Sequence, residues 1–404
     1  MGKKVLVLGS SFGGYNAAIT LKKLVPADVE ITVVSTDDVF TFIPSLPWVV
    51  AGWKAPEKIQ TPVADKLGRA GIRFVKDTIV KLHPSENRAQ GVAGDYNYDY
   101  AVIATGSELD FAAVPGMGPE GGNSYGIFSV NQALQARSAL ERAIAKGEGT
   151  LVFGNAQGAS CLGPPYEMAM ITDTLLRRKG LRGKFKIAFF TNEPFLGHFG
   201  VGGFGAMTRM LEDEFADRAI EWRVNAKIAG ITESSVELAD GTKYDNDFSM
   251  IIPPFYGSHA YMEIDGLANP RGFILTDDYL ANPKYPNVYA AGVSLAIAPM
   301  AGTAVPVGVP KTGQMTEDMA RVTARNIAVD ILGGEKKRGK DFSITCIADG
   351  GDKGFFISGS PLFPPRNKLS HKEGRVFHYL KGAFEIYYMT CIRNGLPRLD
   401  LRRP

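Results

Sequence analysis

Cysteine is scarce in this chain: three among 404 residues, at positions 161, 346 and 391. So few thiols exclude a disulfide scaffold and leave room for one reactive pair plus a spare. Histidine is nearly as scarce, at five residues, and no metal site is expected. An excess of either charge is also missing: 45 Lys and Arg face 42 Asp and Glu, a net +3 too mild to argue for a nucleic-acid partner. Long apolar runs are absent as well. The longest uncharged stretch, Tyr285 to Pro310, is cut by Pro299, Pro306, Pro310 and several glycines, which excludes a spanning helix there. Lys3-Lys4 leads straight into Val5-Leu6-Val7-Leu8-Gly9, too short for a secretory apolar region, so no cleavable signal peptide is expected.

What is present is material for two or three domains of an ordinary globular enzyme. Lys4 to Leu8 reads as a buried parallel strand, followed by the turn Gly9-Ser10-Ser11-Phe12-Gly13-Gly14, a helix from Tyr15 to Leu24 and a second strand from Val29 to Val34. This order is the context that makes a dinucleotide-binding turn credible, because the helix N-terminus offers free N–H groups to a pyrophosphate. Ser11 replaces the middle glycine, and Ser35 ends the second strand where an acid usually binds ribose, with Asp37 and Asp38 following. Two later strands end in Ala104-Thr105-Gly106 and Ala290-Ala291-Gly292. Together these turns resemble those flanking FAD in two-dinucleotide-domain flavoproteins, although Val293 stands where an acid is usual in that family.

A second strand–turn–helix unit follows. Thr150 to Phe153 is its strand, Gly154 to Gly158 its turn, and Tyr166 to Arg178 its helix, with a further strand from Lys184 to Phe190. Cys161, Pro164 and Pro165 occupy the place where a phosphate-binding helix should begin, and Glu193, the one acid near the ribose position, precedes a proline turn. NADH binding is therefore disfavoured. Cys161 and Cys346 each lie in a small-residue, turn-like context. Taken alone, two cysteines are more often small buried hydrophobes than a redox pair.

Several longer motifs decide between these readings. They are Phe42-Ile43-Pro44-Ser45-Leu46-Pro47-Trp48, Gly158 to Glu167, Glu193 to Gly200, Val307 to Gly313, and Cys346-Ile347-Ala348-Asp349. At these residues the chain resembles the sulfide:quinone oxidoreductases, membrane-attached flavoproteins, over nearly its whole length. The resemblance implies an α/β fold with two Rossmann-like domains of the disulfide-reductase type and a C-terminal amphipathic membrane-attachment segment. It implies an FAD domain at 1–115 and 265–330, a second domain carrying Cys161 at 116–264, and a C-terminal segment at 331–404. Cys161 and Cys346 would be the redox disulfide, with Glu167 and His198 as acid/base groups. FAD would be held by Gly9, Ser11, Gly13, Gly14, Ser35, Ala104, Thr105, Gly106, Gly292, Lys311 and Gly313. Phe384, Lys381 and Ile344 would form the quinone site.

From the residues themselves, Glu167 reads either as a proton-transfer carboxyl or as a first-turn acid favoured by the helix dipole. His198 sits in a glycine-rich loop, a poor place for a packed structural histidine, which favours proton handling. One departure from the common bacterial type is the missing third cysteine. Phe128 stands at its position and Gln132 at that of a histidine. Sulfide chemistry survives this change, while growth of long sulfur chains is put in doubt and a small-molecule sulfur acceptor is implied.

From Arg366 the chain turns basic, through Lys368, Lys372, Arg375, Lys381, Arg393, Arg398, Arg402 and Arg403, against Glu373, Glu385 and Asp400. Phe377, Leu380, Phe384, Tyr387 and Cys391 recur at helical spacing. Such a helix suits a lipid bilayer surface and a peripheral, monotopic attachment, with docking on the protein's own core as the alternative. Expected partners are hydrogen sulfide and a membrane quinone, with no nucleic acid; assembly as a homo-oligomer is left open. The rival readings are a flavoprotein subunit of a sulfide:cytochrome c dehydrogenase, a type II NADH:quinone oxidoreductase, and a flavin redox sensor without turnover.

Overall fold

The computed structural model describes residues 2–396, so Arg398, Asp400, Arg402 and Arg403 of the basic segment lie outside the described residues. Strand β1 (Lys4–Leu8) is buried from Val5 onward, as its unbroken apolar run requires. It leads through the glycine turn into α1 (Phe12–Lys22), and β2 (Glu30–Ser35) returns parallel to it. The helix starts at Phe12 rather than Tyr15, with both glycines inside its first turn. A Cβ on Gly14 would lie 1.8 Å from the Gly9 carbonyl oxygen, so only glycine lets α1 begin this close to the strand.

Strands β3 (Arg73–Lys76) and β4 (Tyr100–Ile103) extend this unit. The chain then builds α2 (Val130–Ala145), β5 (Gly149–Asn155), α3 (Gly163–Arg178), β6 (Phe185–Phe190), α4 (Met207–Asp217), β7 (Ile220–Arg223) and β8 (Phe248–Ile252). Helix α3 begins at Gly163, earlier than expected, because Pro164 and Pro165 fall in its first turn, where a missing N–H costs nothing. Strand β9 (Val288–Ala290) rejoins the first sheet, and α5 (Gly313–Leu332) packs on α1. The first sheet has the order β9-β4-β1-β2-β3 and the second β7-β6-β5-β8, both parallel throughout.

The C-terminal part is an antiparallel sheet of β10 (Ile344–Asp349), β11 (Gly354–Ser360) and β12 (Lys368–Gly374), followed by α6 (Arg375–Arg393). Cys346 is thus not in a turn but within a strand, opposite Ile357. The β10–β11 turn is tied to α3 by Thr174 Oγ1, which donates to the Gly350 carbonyl at 2.7 Å, and by Arg178 to that of Gly351 at 2.8 Å. Buried Arg218 adds ion pairs to Asp173 (3.0 Å) and Asp352 (2.6 Å). These bonds hold the strand of Cys346 against the helix that follows Cys161.

Candidate active site

At the carboxyl edge of the first sheet, Leu8, Ile103 and Ala290 stand abreast in the pairing register. The turns that follow them therefore share one crevice mouth, where open parallel sheets bind nucleotides. Side chains are excluded there: a Cβ on Gly9 (φ +103°) would lie 2.4 Å from the Ala104 carbonyl oxygen, and one on Gly292 (φ +75°) 2.7 Å from Thr316 Cγ2. Gly13 is also tightly placed, its Cβ position 3.0 Å from that of Ala104. Ser294 Oγ accepts from Gly106 N–H (2.9 Å) and donates to its carbonyl (3.1 Å), fixing the Thr105–Gly106 turn. Ser11 is the N-cap of α1 and makes no side-chain cap bond. Ser35 accepts from the Ser10 hydroxyl at 3.0 Å, while Asp38 pairs with Lys76 and Asp37 accepts from Val39 N–H.

Lys311 precedes α5, whose first residue is Gly313. Its ammonium lies 4.7 Å from the centre of the Phe273 ring and, among the described residues, has no carboxylate partner. Burial lowers its pKa to about 8. A desolvated cation beside a side-chain-free cradle matches an electron-rich, phosphate-bearing cofactor, and these residues fit FAD.

The thiols form the second half of the site. Cys161 lies in the loop between β5 and α3; like Cys346 and Cys391 it is a free thiol. Both site thiols retain some surface exposure yet are closely surrounded by protein, and burial pushes Cys161 up to about 12 and Cys346 to about 11. After burial, the groups that act on Cys161 are Cys346 and then Glu167. Those acting on Cys346 are Glu167 and, in the opposite sense, Lys381. The fold thus gathers Cys161, Cys346, Glu167 and Lys381 in one place.

Glu167, on the second turn of α3, is 8% exposed. Its Oε1 accepts from Lys381 Nζ at 2.6 Å and from the Asp349 N–H at 2.7 Å. Burial raises its pKa, and Lys381 opposes that rise. Asp349, fully buried, accepts from Trp48 Nε1 at 2.6 Å through Oδ2, and its Oδ1 lies 2.8 Å from His378 Nδ1. The Trp48 ring has Lys381 at 5.2 Å and Lys54 at 5.0 Å from its centre. Lys54 in turn pairs with Glu385 at 2.7 Å, which also accepts from Ser45 Oγ.

Several expectations change. His198 is packed, 5% exposed, with Phe195 edge-on at 5.1 Å and Nδ1 accepting from Gly200 N–H. Burial and then Arg366 lower its pKa, and its packing makes it a staple of its loop. Lys381, expected beside the quinone, is buried and paired with Glu167. Phe384 packs against Phe42 and Tyr388 with ring centres 6.1 and 5.9 Å away, and Ile344 is buried in β10, on which α6 packs. The stripe expected on α6 is rotated: Lys381, Glu385, Tyr388, Met389 and Ile392 face inward, while Val376, Tyr379, Leu380 and Ile386 are exposed. Glu193 is fully buried, its carboxyl accepting from Tyr166 (2.8 Å), Thr191 (2.7 Å) and Phe199 N–H (2.6 Å), and so is spent inside the protein. Trp48, Asp349, Lys54, Glu385 and His378 were missed as site residues. Only Trp48 and Asp349 lay within motifs that could have signalled them.

The fold and site define a class first, the flavin-dependent disulfide oxidoreductases with two nucleotide-binding sheets; residues 3–155 match the family described as pyridine nucleotide-disulphide oxidoreductase. The sulfide-quinone reductase of Aquifex aeolicus is 38% identical over 402 residues, spanning 98% of this chain and 92% of that one. The X-ray structure of the sulfide:quinone oxidoreductase from that bacterium superposes with a TM-score of 0.94 at 37% identity, covering 99% and 93% of the two chains. NDH2 from Plasmodium falciparum in complex with NADH has a TM-score of 0.73 at 12% identity over 97% of each chain, a likeness of fold alone. This chain belongs to the sulfide-quinone reductase family, and its cofactor is FAD.

Proposed function

We propose that this protein oxidises hydrogen sulfide at Cys161 and Cys346 and passes two electrons through FAD to a membrane quinone. The observation that carries this reading is the gathering of the two thiols with buried Glu167 and Lys381, beside a crevice that fits FAD. In the oxidised form the two sulfurs are joined. Hydrosulfide attacks one of them; the disulfide breaks, a persulfide forms on that cysteine and a thiolate leaves on the other. Cys346 is the better leaving sulfur, because burial and Glu167 push its thiol up to about 11, against about 12 for Cys161, with Lys381 opposing the rise. Glu167 supplies or takes the proton that a buried thiol and thiolate exchange. A small external nucleophile takes the outer sulfur and leaves a thiol on that cysteine. Re-forming the disulfide from thiol and thiolate releases one proton and two electrons, the pair that FAD, when bound, would accept and pass to quinone. Glu193, engaged by Tyr166, Thr191 and Phe199, is not available to a nicotinamide ribose, which argues against the NADH reading.

Among the described residues no helix is long and apolar enough to cross a membrane. The outer face of α6, with Val376 58%, Tyr379 71% and Ile386 66% exposed, supports peripheral attachment to a bilayer surface. Phe384, on that helix and packed against Phe42, is the proposed quinone contact, with Ile344 on the strand on which the helix packs.

The test is anaerobic titration of the yellow holoenzyme with sulfide and, separately, with NADH. Sulfide should bleach the flavin of wild type and Cys391→Ser. Cys161→Ser and Cys346→Ser should lose bleaching by more than about 100-fold while keeping FAD, because neither sulfur of the relay is redundant. Bleaching by NADH but not by sulfide would overturn the reading.

A further inference from the structure

The cluster behind the thiols has an uneven charge count. Two buried carboxylates, Glu167 and Asp349, share it with one buried ammonium, Lys381. The remaining titratable member is His378, whose ring lies 2.8 Å from Asp349 and whose side chain is 27% exposed. The other charged groups packed around it are matched elsewhere: Lys54, across the Trp48 ring, pairs with Glu385, and Lys353 with Glu214 and Glu373. Tyr379, its neighbour on α6, stands edge-on at 5.2 Å, and Trp48 at 6.4 Å.

We propose that His378 is the solvent-facing positioning residue of the thiol site: through Asp349 it sets whether the cluster's one neutralising proton rests on the imidazole or on Glu167. This rests on Glu167 being the proton-handling group of the proposed function. The connection is physical and short. Asp349 grips Glu167 with its backbone N–H and His378 with its carboxylate, so a charge gained at the ring offsets the carboxylate that disfavours ionisation of Glu167. Lys381 is fixed on Glu167 and cannot do both tasks. Of Glu167, Asp349 and His378, only the imidazole reaches solvent to an appreciable extent, so protons enter or leave the cluster there. When the site gains a negative charge as a thiolate forms, a proton taken up at His378 restores the balance without unburying Glu167.

Two measurements test this. The first is the pH profile of flavin bleaching by sulfide in the holoenzyme, for wild type, His378→Asn and His378→Arg, with bound FAD confirming that each variant is folded. Asparagine leaves Asp349 uncompensated and should move the Glu167 limb up, whereas arginine, a fixed cation, should move it down, each by about one pH unit. Sulfide's own ionisation is common to all three. Variants that are slower but keep the wild-type profile would make His378 a mere structural pin and overturn the proposal. The second is the titration midpoint of His378 by NMR in wild type and Glu167→Gln. Linkage requires it to fall when Glu167 loses its charge, and an unmoved midpoint overturns the proposal. This second arm uses no sulfide chemistry, so it decides the role of His378 even where the functional reading fails.

Discussion

Lys381 Nζ lies 2.6 Å from Glu167 Oε1, closing the C-terminal helix onto the helix that follows Cys161. Both groups are buried, and they are 214 residues apart in the chain. The pair joins the two halves of the site: Glu167 acts on both thiols, and Lys381 belongs to the helix that carries Phe384 and the exposed apolar face.

Replacing Lys381 by methionine should leave a buried carboxylate without its cation. The expected loss is about 3–5 kcal/mol of stability, and Glu167→Gln in the same chain should recover part of it. A double-mutant cycle by thermal unfolding measures the coupling. In the single variant Glu167 is raised further, so sulfide bleaching should slow by about 10-fold at neutral pH. Additive losses in the cycle would mean that the two groups do not interact.

Glu193 gives a pH-dependent contribution to stability. Burial holds its pKa at about 7, well above its unfolded value, so the folded state binds the proton more tightly. Stabilisation by the neutral carboxyl is complete below the unfolded value and is lost as pH rises through about 7. Glu193→Gln should flatten the fall in stability between pH 5 and 8, by up to about 3 kcal/mol. Parallel melting-temperature curves for the two proteins would remove Glu193 from that fall.

The outer face of α6 can be tested without touching its inner side. Tyr379→Ser, Leu380→Ser and Ile386→Ser together should weaken sedimentation with phospholipid vesicles by at least about 10-fold. Turnover with a short-tailed, water-soluble quinone should persist. Removing the whole helix is a poorer test, because Tyr388 packs on Phe12, Phe40 and Phe42 and accepts from Asn16, and Tyr15 donates to the Ile392 carbonyl. Unchanged vesicle binding by the triple variant would place the attachment elsewhere.

Phe128 bears on the product. It is edge-on to Phe255 at 5.1 Å, and its N–H is held by the Gln132 side chain, so the position offers packing in place of a thiol. On the proposed function, a persulfide on the catalytic pair would then be cleared by a small external nucleophile. Steady-state turnover should rise with added sulfite, cyanide or glutathione, giving short-chain products. Turnover indifferent to all three, with long sulfur chains released, would show that two cysteines suffice for chain growth.

The first crevice was legible because its signals are local: strand, glycine turn and helix follow one another from Lys4 to Lys22, and Gly9, Gly13 and Gly14 each answer a contact made within that fold unit or its neighbouring strand. The strand around Cys346 was not, since β10 is defined only by pairing with β11 across a turn rich in glycine. The inward face of α6 was misread for a similar reason. Lys381 and Glu385 look like solvent-facing charges until their partners, Glu167 and Lys54, are brought to them from the other end of the chain. His198 was misjudged because glycine flexibility says nothing about whether a loop closes over its own side chain.

The inward charges of α6 also fix how deep the protein can sit. A helix whose inner side is held by Lys381 and Glu385 cannot roll or sink without carrying those charges toward hydrocarbon, where each would cost at least about 2.5 kcal/mol. On the proposed peripheral attachment it would lie flat, its outer side chains reaching roughly 5–10 Å into the headgroup boundary. With Phe384 as the proposed quinone contact, a long-tailed electron acceptor would have to lift its ring out of the bilayer interior to meet it, and reoxidation would then depend on how readily that ring rises to the interface.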